Sequence, residues 1–175
     1  MKKLAGLFIL LFFCLFQEVL SQEASPMQFA FIIKQVFPDV TNIVYFLPKE
    51  RADVLKKKLG RAGAITKTKA EVYIIDLARD IGSSLKKLKP KTKLVIFDSP
   101  VLMNNKSKLY ILKNCTQNNI YIFSSSMDYL QSGATAFIGK VDGKTKVIFN
   151  LKNYPELKSV LTPEKLTALK AELYQ

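Results

Sequence analysis

The chain has 175 residues, of which 49% are hydrophobic, and its 27 lysines and arginines exceed its 14 acids, giving a formal net charge of +13. It contains no histidine, which excludes a Ser-His-Asp triad and most zinc and copper sites, because these depend on imidazole. Its cysteines are Cys14 and Cys115, and a thiol without a histidine base is a poor nucleophile. The acidic residues are scattered singly along the chain. We therefore expect a protein that is not an enzyme and that has no metal or cofactor.

The first 21 residues have the order of a secretory signal peptide. Met1-Lys2-Lys3 is basic, Leu4 to Phe16 is almost wholly apolar, and Val19-Leu20-Ser21 is typical of a cleavage position. The apolar run is shorter than the about 20 residues that a membrane-spanning helix needs, so the alternative of an uncleaved anchor is less favoured. We expect residues 1–21 to be a cleaved signal peptide and residues 22–175 to form a single α/β domain, periplasmic or secreted.

The remaining chain alternates helical patterns with short apolar runs. Five segments have the apolar spacing of helices: Met27–Phe37, Glu50–Gly60 (closed by Gly60), Asp80–Leu88, Lys106–Asn118 (with Leu109, Leu112 and Cys115 inward) and Met127–Ser132. Four runs between them predict strands: Asn42–Leu47, Val72–Leu77, Leu94–Phe97 and Ile120–Phe123. Strands that are apolar throughout and separated by helices favour a parallel sheet covered on both faces. The pattern therefore predicts an α/β three-layer sandwich with a mainly parallel sheet.

The C-terminal part predicts a hairpin followed by a helix. The strands are Ala134–Ile138 and Lys146–Phe149, and Asp142-Gly143 suits the positive φ of a tight turn between them. Thr162-Pro163-Glu164 combines a helix cap with a proline at the first helical position. We expect the last helix to cover Lys165 to Tyr174, with Leu166, Leu169 and Leu173 inward.

The excess of positive charge does not indicate nucleic-acid binding. The chain has only three arginines, Arg51, Arg61 and Arg79, and lacks the alternation of basic and aromatic residues that stacks bases. The lysines of 56–58 and 86–93 are typical of solvated helix faces and ends. Peripheral attraction to an anionic membrane surface or to an acidic partner is a secondary expectation.

Polar side chains follow the predicted strands at their carboxyl ends. In open α/β sheets ligands bind at this edge, and Asp98, Ser99, Ser124, Ser125 and Ser126 would lie there. One carboxylate and several hydroxyls suit a small polar ligand bound through hydrogen bonds. The alternative is structural, because Asp and Ser after a strand are ordinary helix caps and turn formers.

Four stretches resemble ABC-transporter substrate-binding proteins. Phe37–Tyr45 resembles the segment that opens their second lobe, and Asn119–Ser126 a strand before a ligand-side loop. Leu130–Ala136 is similar to their valine-x-x-glycine-alanine-x-alanine stretch, and Val147–Leu151 to the strand and asparagine before their last helix. The resemblance implies a periplasmic-binding-protein-like lobe and adds Gly133 to the ligand-binding residues.

Members of that family close two lobes on their ligand, and this chain is long enough for one lobe only. A single lobe leaves a ligand half exposed, so weak binding is expected unless the domain dimerises or another chain supplies the second lobe. The end of the chain also resembles the periplasmic YfiR-type domain, a small exported regulator of a membrane partner. We therefore expect a lobe that binds a small polar ligand or an envelope partner, as an accessory to transport or signalling. The alternative is a YfiR-like regulator that acts by protein–protein interaction without a small ligand.

Overall fold

A seven-stranded β-sheet runs through the computed structural model of the chain, which describes residues 23–175. The predicted signal peptide lies outside these residues. The strands are β1 (Asn42–Leu47), β2 (Lys69–Ile74), β3 (Lys93–Ile96), β4 (Tyr121–Ser124), β5 (Ala136–Val141), β6 (Lys144–Asn150) and β7 (Ala171–Tyr174). Their order across the sheet is β2-β1-β3-β4-β5-β6-β7. Only β5 and β6 pair antiparallel among these strands, so the sheet is mainly parallel.

Helices cover both faces of the sheet. They are α1 (Pro26–Val36), α2 (Lys49–Thr66), α3 (Ala78–Leu85), α4 (Pro100–Met103), α5 (Asn105–Gln117), α6 (Met127–Gln131), a 3-10 helix (Pro155–Ser159) and α7 (Pro163–Leu169). The helices α1, α2, α7 and the 3-10 helix pack on one face, and α3 to α6 on the other. No helix within residues 23–175 combines the length and the apolar character that crossing a bilayer would require.

The central strands are buried because their side chains enter two separate cores. In β1, Tyr45 belongs to the core under α1 and α2, whereas its neighbours Val44 and Phe46 belong to the core under α3 to α6. Successive side chains of a strand point to opposite faces, so a strand that is apolar throughout needs cover on both. The predicted three-layer α/β sandwich is confirmed.

The C-terminal hairpin forms at the predicted turn. Asp142 and Gly143 have φ of 51° and 72° and join β5 to β6, with Val141 opposite Lys144. Two consecutive residues with positive φ match the right-handed twist of the paired strands.

The last helix is shorter than the sequence predicts. Thr162 caps α7 as expected, but the helix ends at Leu169, and Lys170 takes a left-handed conformation with φ of 49°. Residues Ala171–Tyr174 then form β7, parallel to β6. The spacing of Leu166, Leu169 and Leu173 fits a helix, but a strand here supplies hydrogen-bond partners to the otherwise open edge of β6.

Two details of the helix predictions are wrong. Gly60 does not end α2, which continues to Thr66 and stops where Lys67 adopts φ of 54°. Leu109 does not point inward: it is 60% exposed, and the buried positions of α5 include Ile111, with Leu112 and Cys115 as predicted. The second strand also begins earlier than expected, at Lys69 rather than Val72.

The two glycines of α2 give a matched test of how closely this helix packs against the residues that follow it. A Cβ on Gly63 would lie 2.5 Å from the Thr68 carbonyl oxygen, whereas Gly60 has nothing within 4 Å. We expect Gly63→Ala to lower the free energy of unfolding by about 1–3 kcal/mol, because a backbone atom must move. Gly60→Ala should raise it by about 0.5–1 kcal/mol, because alanine favours the helix. Urea unfolding measures both, and equal stability of the two variants would contradict the close approach of α2 to the Thr68 backbone.

Candidate ligand site at the carboxyl edge of the sheet

The carboxyl ends of β1, β3 and β4 lie at one edge of the sheet, and residues from four elements meet beyond it. We call this region the carboxyl edge and define it by Arg51, Asp98, Ser125 and Gly139. The first residues that the structure describes, from Glu23 onward, lie across it before α1 begins.

Arg51 stands in the first turn of α2, three residues after Pro48 ends the run of β1. Its Nη1 donates to Glu23 Oε1 at 2.9 Å and to the Asp98 carbonyl oxygen at 3.1 Å. Its Nη2 donates to the second oxygen of the Glu23 carboxylate, so the pair is bidentate. The guanidinium carbon also lies 5.2 Å from the centre of the Phe97 ring. A planar guanidinium can satisfy all these contacts at once, which a lysine ammonium cannot.

Glu23 receives a third donor from the backbone. The Asp98 N–H lies 3.0 Å from Glu23 Oε1, so three donors converge on one carboxylate. The Glu23 side chain is 17% exposed and that of Arg51 34%. Hydrogen bonds to an ionised carboxylate in such a partly buried position are stronger than those between neutral groups.

The backbone of Glu23 pairs with β5 beyond the point where the neighbouring strand β4 ends. β4 ends at Ser124, opposite Phe137, so the edge of β5 beyond this point is free. Glu23 forms an antiparallel bridge with Gly139 there, since Lys146 of β6 takes the other edge of the strand. A Cβ on Gly139 would lie 2.6 Å from the Phe137 ring, so this position has no room for a side chain.

Two of the predicted serines have structural roles. Ser99 Oγ accepts a hydrogen bond of 3.2 Å from the Leu102 N–H and caps α4. Ser124 is fully buried, and its Oγ accepts a hydrogen bond of 3.1 Å from the Ser126 N–H. These are the capping and turn-forming roles that the sequence leaves as the alternative to ligand binding.

Ser125 differs from its neighbours. Its Oγ is buried and has no hydrogen-bond partner among residues 23–175. Its carbonyl oxygen would lie 3.3 Å from a Cβ on Gly139, so Ser125 stands beside the residue with which Glu23 pairs. A buried hydroxyl without a partner costs free energy, which a hydrogen-bonding ligand would recover.

Gly133 is not brought together with these residues. It precedes β5 and has φ of 119°, and a Cβ on Gly133 would lie 2.9 Å from Asn153 Nδ2. Asn153 follows β6, which runs antiparallel to β5, so both residues lie at the opposite edge of the sheet.

Arg51 and Glu23 are the residues that the sequence analysis missed. One signal was available for Arg51, because it is one of three arginines and stands just after a predicted strand. Glu23 stands in a polar segment without periodicity, and its partners are 28 and 75 residues away. Within residues 23–175, no three His, Cys, Asp or Glu side chains are grouped to hold a metal ion.

The carboxyl group of Asp98 holds its proton more tightly than an ordinary aspartate. Loss of solvent and the nearby Glu23 carboxylate raise its pKa from 3.8 to about 6, and Arg51 acts in the opposite direction. The residue as a whole is exposed, so water moderates the effect on stability.

The sequence matches no protein-family model, and none of the curated proteins matches it. Solved structures share the fold. One is a conserved domain protein from Vibrio cholerae O1 biovar El Tor strain N16961, 16% identical, with a TM-score of 0.69 over 87% of this chain and 61% of that one. Another is the ABC domain in complex with L-Trp from Streptococcus pneumoniae, 12% identical, with a TM-score of 0.65 over 86% of this chain and 62% of that one. This chain thus spans about three fifths of the length of each, and at these identities the likeness establishes the fold alone.

The raised pKa of Asp98 predicts a specific pH dependence of stability. Because the pKa of Asp98 is higher in the folded than in the unfolded chain, its carboxyl group stabilises the fold fully below pH 3.8. This contribution to the free energy of unfolding is lost as the pH rises through about 6. Asp98→Asn cannot ionise, so wild type should lose stability relative to this variant across that interval. Urea unfolding at several pH values measures the difference. Asp53→Asn, which removes the same charge from an exposed position of α2, is the control, and an identical pH trend for both variants would contradict the assignment.

Proposed function

We propose that this protein is an exported binding protein whose carboxyl edge receives a small polar ligand. The observation that carries the proposal is the cluster of polar groups at this edge. A guanidinium and a backbone N–H converge on a carboxylate there, beside the Ser125 hydroxyl, which has no partner in the part of the chain that the structure describes. The strands that lead to this edge are apolar and buried, so the polar groups are concentrated where a parallel sheet binds ligands.

The comparison with known structures supports a small ligand. The ABC domain from Streptococcus pneumoniae that shares this fold is in complex with L-Trp, an amino acid. This chain covers only part of that structure. A ligand bound to this chain is therefore more exposed and more weakly held than a fully enclosed one, unless a second copy or another chain completes the enclosure.

Binding rather than catalysis is part of the proposal. The chain has no histidine, and the backbone of Asp98, not its carboxylate, makes the contacts to Arg51 and Glu23. Export rests on the N-terminal sequence pattern of residues 1–21.

The Ser125 hydroxyl gives a direct test. We expect the mature protein, purified gently from its own host, to carry a discrete small-molecule mass in native mass spectrometry. Ser125→Ala should lose that mass while keeping its stability, because the hydroxyl has no hydrogen-bond partner among residues 23–175. Ser132→Ala, an exposed serine at the opposite edge, is the control and should retain it. A bare wild-type chain, or equal retention by both variants, would count against the proposal.

A regulatory role through protein–protein interaction is the second candidate. It is favoured by the outer strand β2, which exposes Val72 and Ile74. Val72 lines a groove of about 450 Å³ between β2 and α2. The basic face at Lys86, Lys87 and Lys89 is also exposed.

This second candidate predicts that the mature protein is recovered with a stoichiometric partner. Charge reversal of Lys86, Lys87 and Lys89 to glutamate should release that partner, because an acidic surface would lose its attraction. Co-purification followed by native mass spectrometry measures the complex. A complex that survives the reversal would argue against a role for the basic face.

A further inference from the structure

We infer that Arg51 and the Asp98 amide form a carboxylate subsite and that Glu23 occupies it from within the chain. A ligand that carries a carboxylate must then displace Glu23 before it binds. This inference rests on the proposed function and names the chemistry of its ligand.

The donors of the subsite are held by contacts that do not involve Glu23. The Arg51 guanidinium is fixed by the Asp98 carbonyl oxygen at 3.1 Å and by the Phe97 ring. The Asp98 N–H continues the backbone of β3, where the Phe97 N–H already bonds to the Phe46 carbonyl oxygen at 3.0 Å. The subsite therefore keeps its geometry when Glu23 leaves, which is what preorganised binding requires.

Glu23 can leave without disrupting α1. The helix is capped locally, because Ser25 and Gln28 exchange side-chain and backbone hydrogen bonds of 2.8 and 3.3 Å. Among the described residues before Ser25, which are Glu23 and Ala24, the link to the sheet is one isolated bridge, between Glu23 and Gly139, rather than a ladder. Its release costs the burial of Ala24, which is 4% exposed, and the ion pair with Arg51, which an incoming carboxylate restores.

The Ser125 hydroxyl, at the same edge, has no hydrogen-bond partner among the described residues while Glu23 occupies the subsite. The buried Ser125 Oγ lies beside Gly139, the residue that Glu23 engages through its backbone, yet nothing in residues 23–175 bonds to it. Glu23 thus uses the charged part of the site and leaves the hydroxyl unused. A small molecule with a carboxylate and a second hydrogen-bonding group would use both.

Glu23→Gln tests the displacement directly. The variant keeps the size of the side chain but weakens the bidentate pair, so the subsite is more often free. We expect sodium glutarate to bind this variant about tenfold more tightly than wild type, in proportion to the larger free fraction. The binding is followed by the NMR shifts of the Asp98 and Gly139 amides, against sodium chloride at equal ionic strength.

Three controls accompany the titration. Glu50→Gln removes the same charge from an exposed neighbour of Arg51 and should bind glutarate as wild type does. Adding Arg51→Lys to Glu23→Gln should abolish the saturable shift, because the bidentate contact is lost. Glutaramide, which has the same length without the charge, should shift neither amide. Equal affinity of wild type and Glu23→Gln, or the absence of a saturable shift in the folded variant, overturns the inference.

If Glu23→Gln does not fold, wild type decides the question. Saturating glutarate should release the Glu23 amide into fast motion, seen by its heteronuclear NOE, while Gln28 in α1 stays ordered. A Glu23 amide that stays rigid at saturation, or a wild type that does not bind glutarate at all, overturns the inference.

The inference and the proposed function can fail separately. An uncharged ligand found on the native protein with Glu23 still paired to Arg51 would uphold the function and overturn the subsite. Glutarate binding by Glu23→Gln, together with a native protein that carries no small molecule, would uphold the subsite and overturn the function.

Discussion

Burial of the central strands on both faces is the constraint from which the rest of the architecture follows. β1 and β3 run between two apolar cores, and apart from Asn42 and Lys93 at their amino ends their side chains are apolar and buried along the whole length. Polar chemistry is therefore confined to the ends of the strands. At the carboxyl ends the chain places an arginine, a backbone N–H that bonds to a side chain and three consecutive serines. The location of the candidate site is thus a consequence of how the sheet is covered.

The ion pair between Arg51 and Glu23 is intermediate between a surface pair and a buried one. Arg51 and Glu23 are each partly shielded, so their attraction is stronger than that of a surface pair, yet their separation from water is incomplete. Loss of the Glu23 carboxylate leaves the Arg51 charge beside the Phe97 ring with fewer hydrogen bonds than it needs. An arrangement of this kind favours exchange of one carboxylate for another over an empty site.

The sequence predicted the elements that depend on local pattern. The apolar runs of β1 and β3, the Asp142-Gly143 turn and the Thr162 cap are visible because each depends on residues close together in the chain. The sequence failed where a distant contact decides. Leu173 fits a helix by spacing, but the open edge of β6 draws it into a strand.

The candidate site was predicted less completely than the fold for the same reason. Asp98 and the serines follow predicted strands, so their edge could be named in advance. Arg51 gains its role from Glu23 and Asp98, which lie 28 and 47 residues away. Which serine hydroxyl is available to a ligand depends on the local turn, because Ser124 Oγ already accepts a hydrogen bond from the Ser126 N–H. That turn depends on the backbone path, which the sequence pattern does not reveal.

The pairing of both ends of the described chain with one hairpin has a consequence for the order of folding. Glu23 needs Gly139 of β5, and Tyr174 pairs with Asn150 of β6. During synthesis the N-terminal segment emerges long before its partner, and closing so long a loop is slow. The pair of Glu23 with Arg51 spans only 28 residues and needs nothing beyond α2. The bridge of Glu23 to Gly139 has to wait until β5 is available.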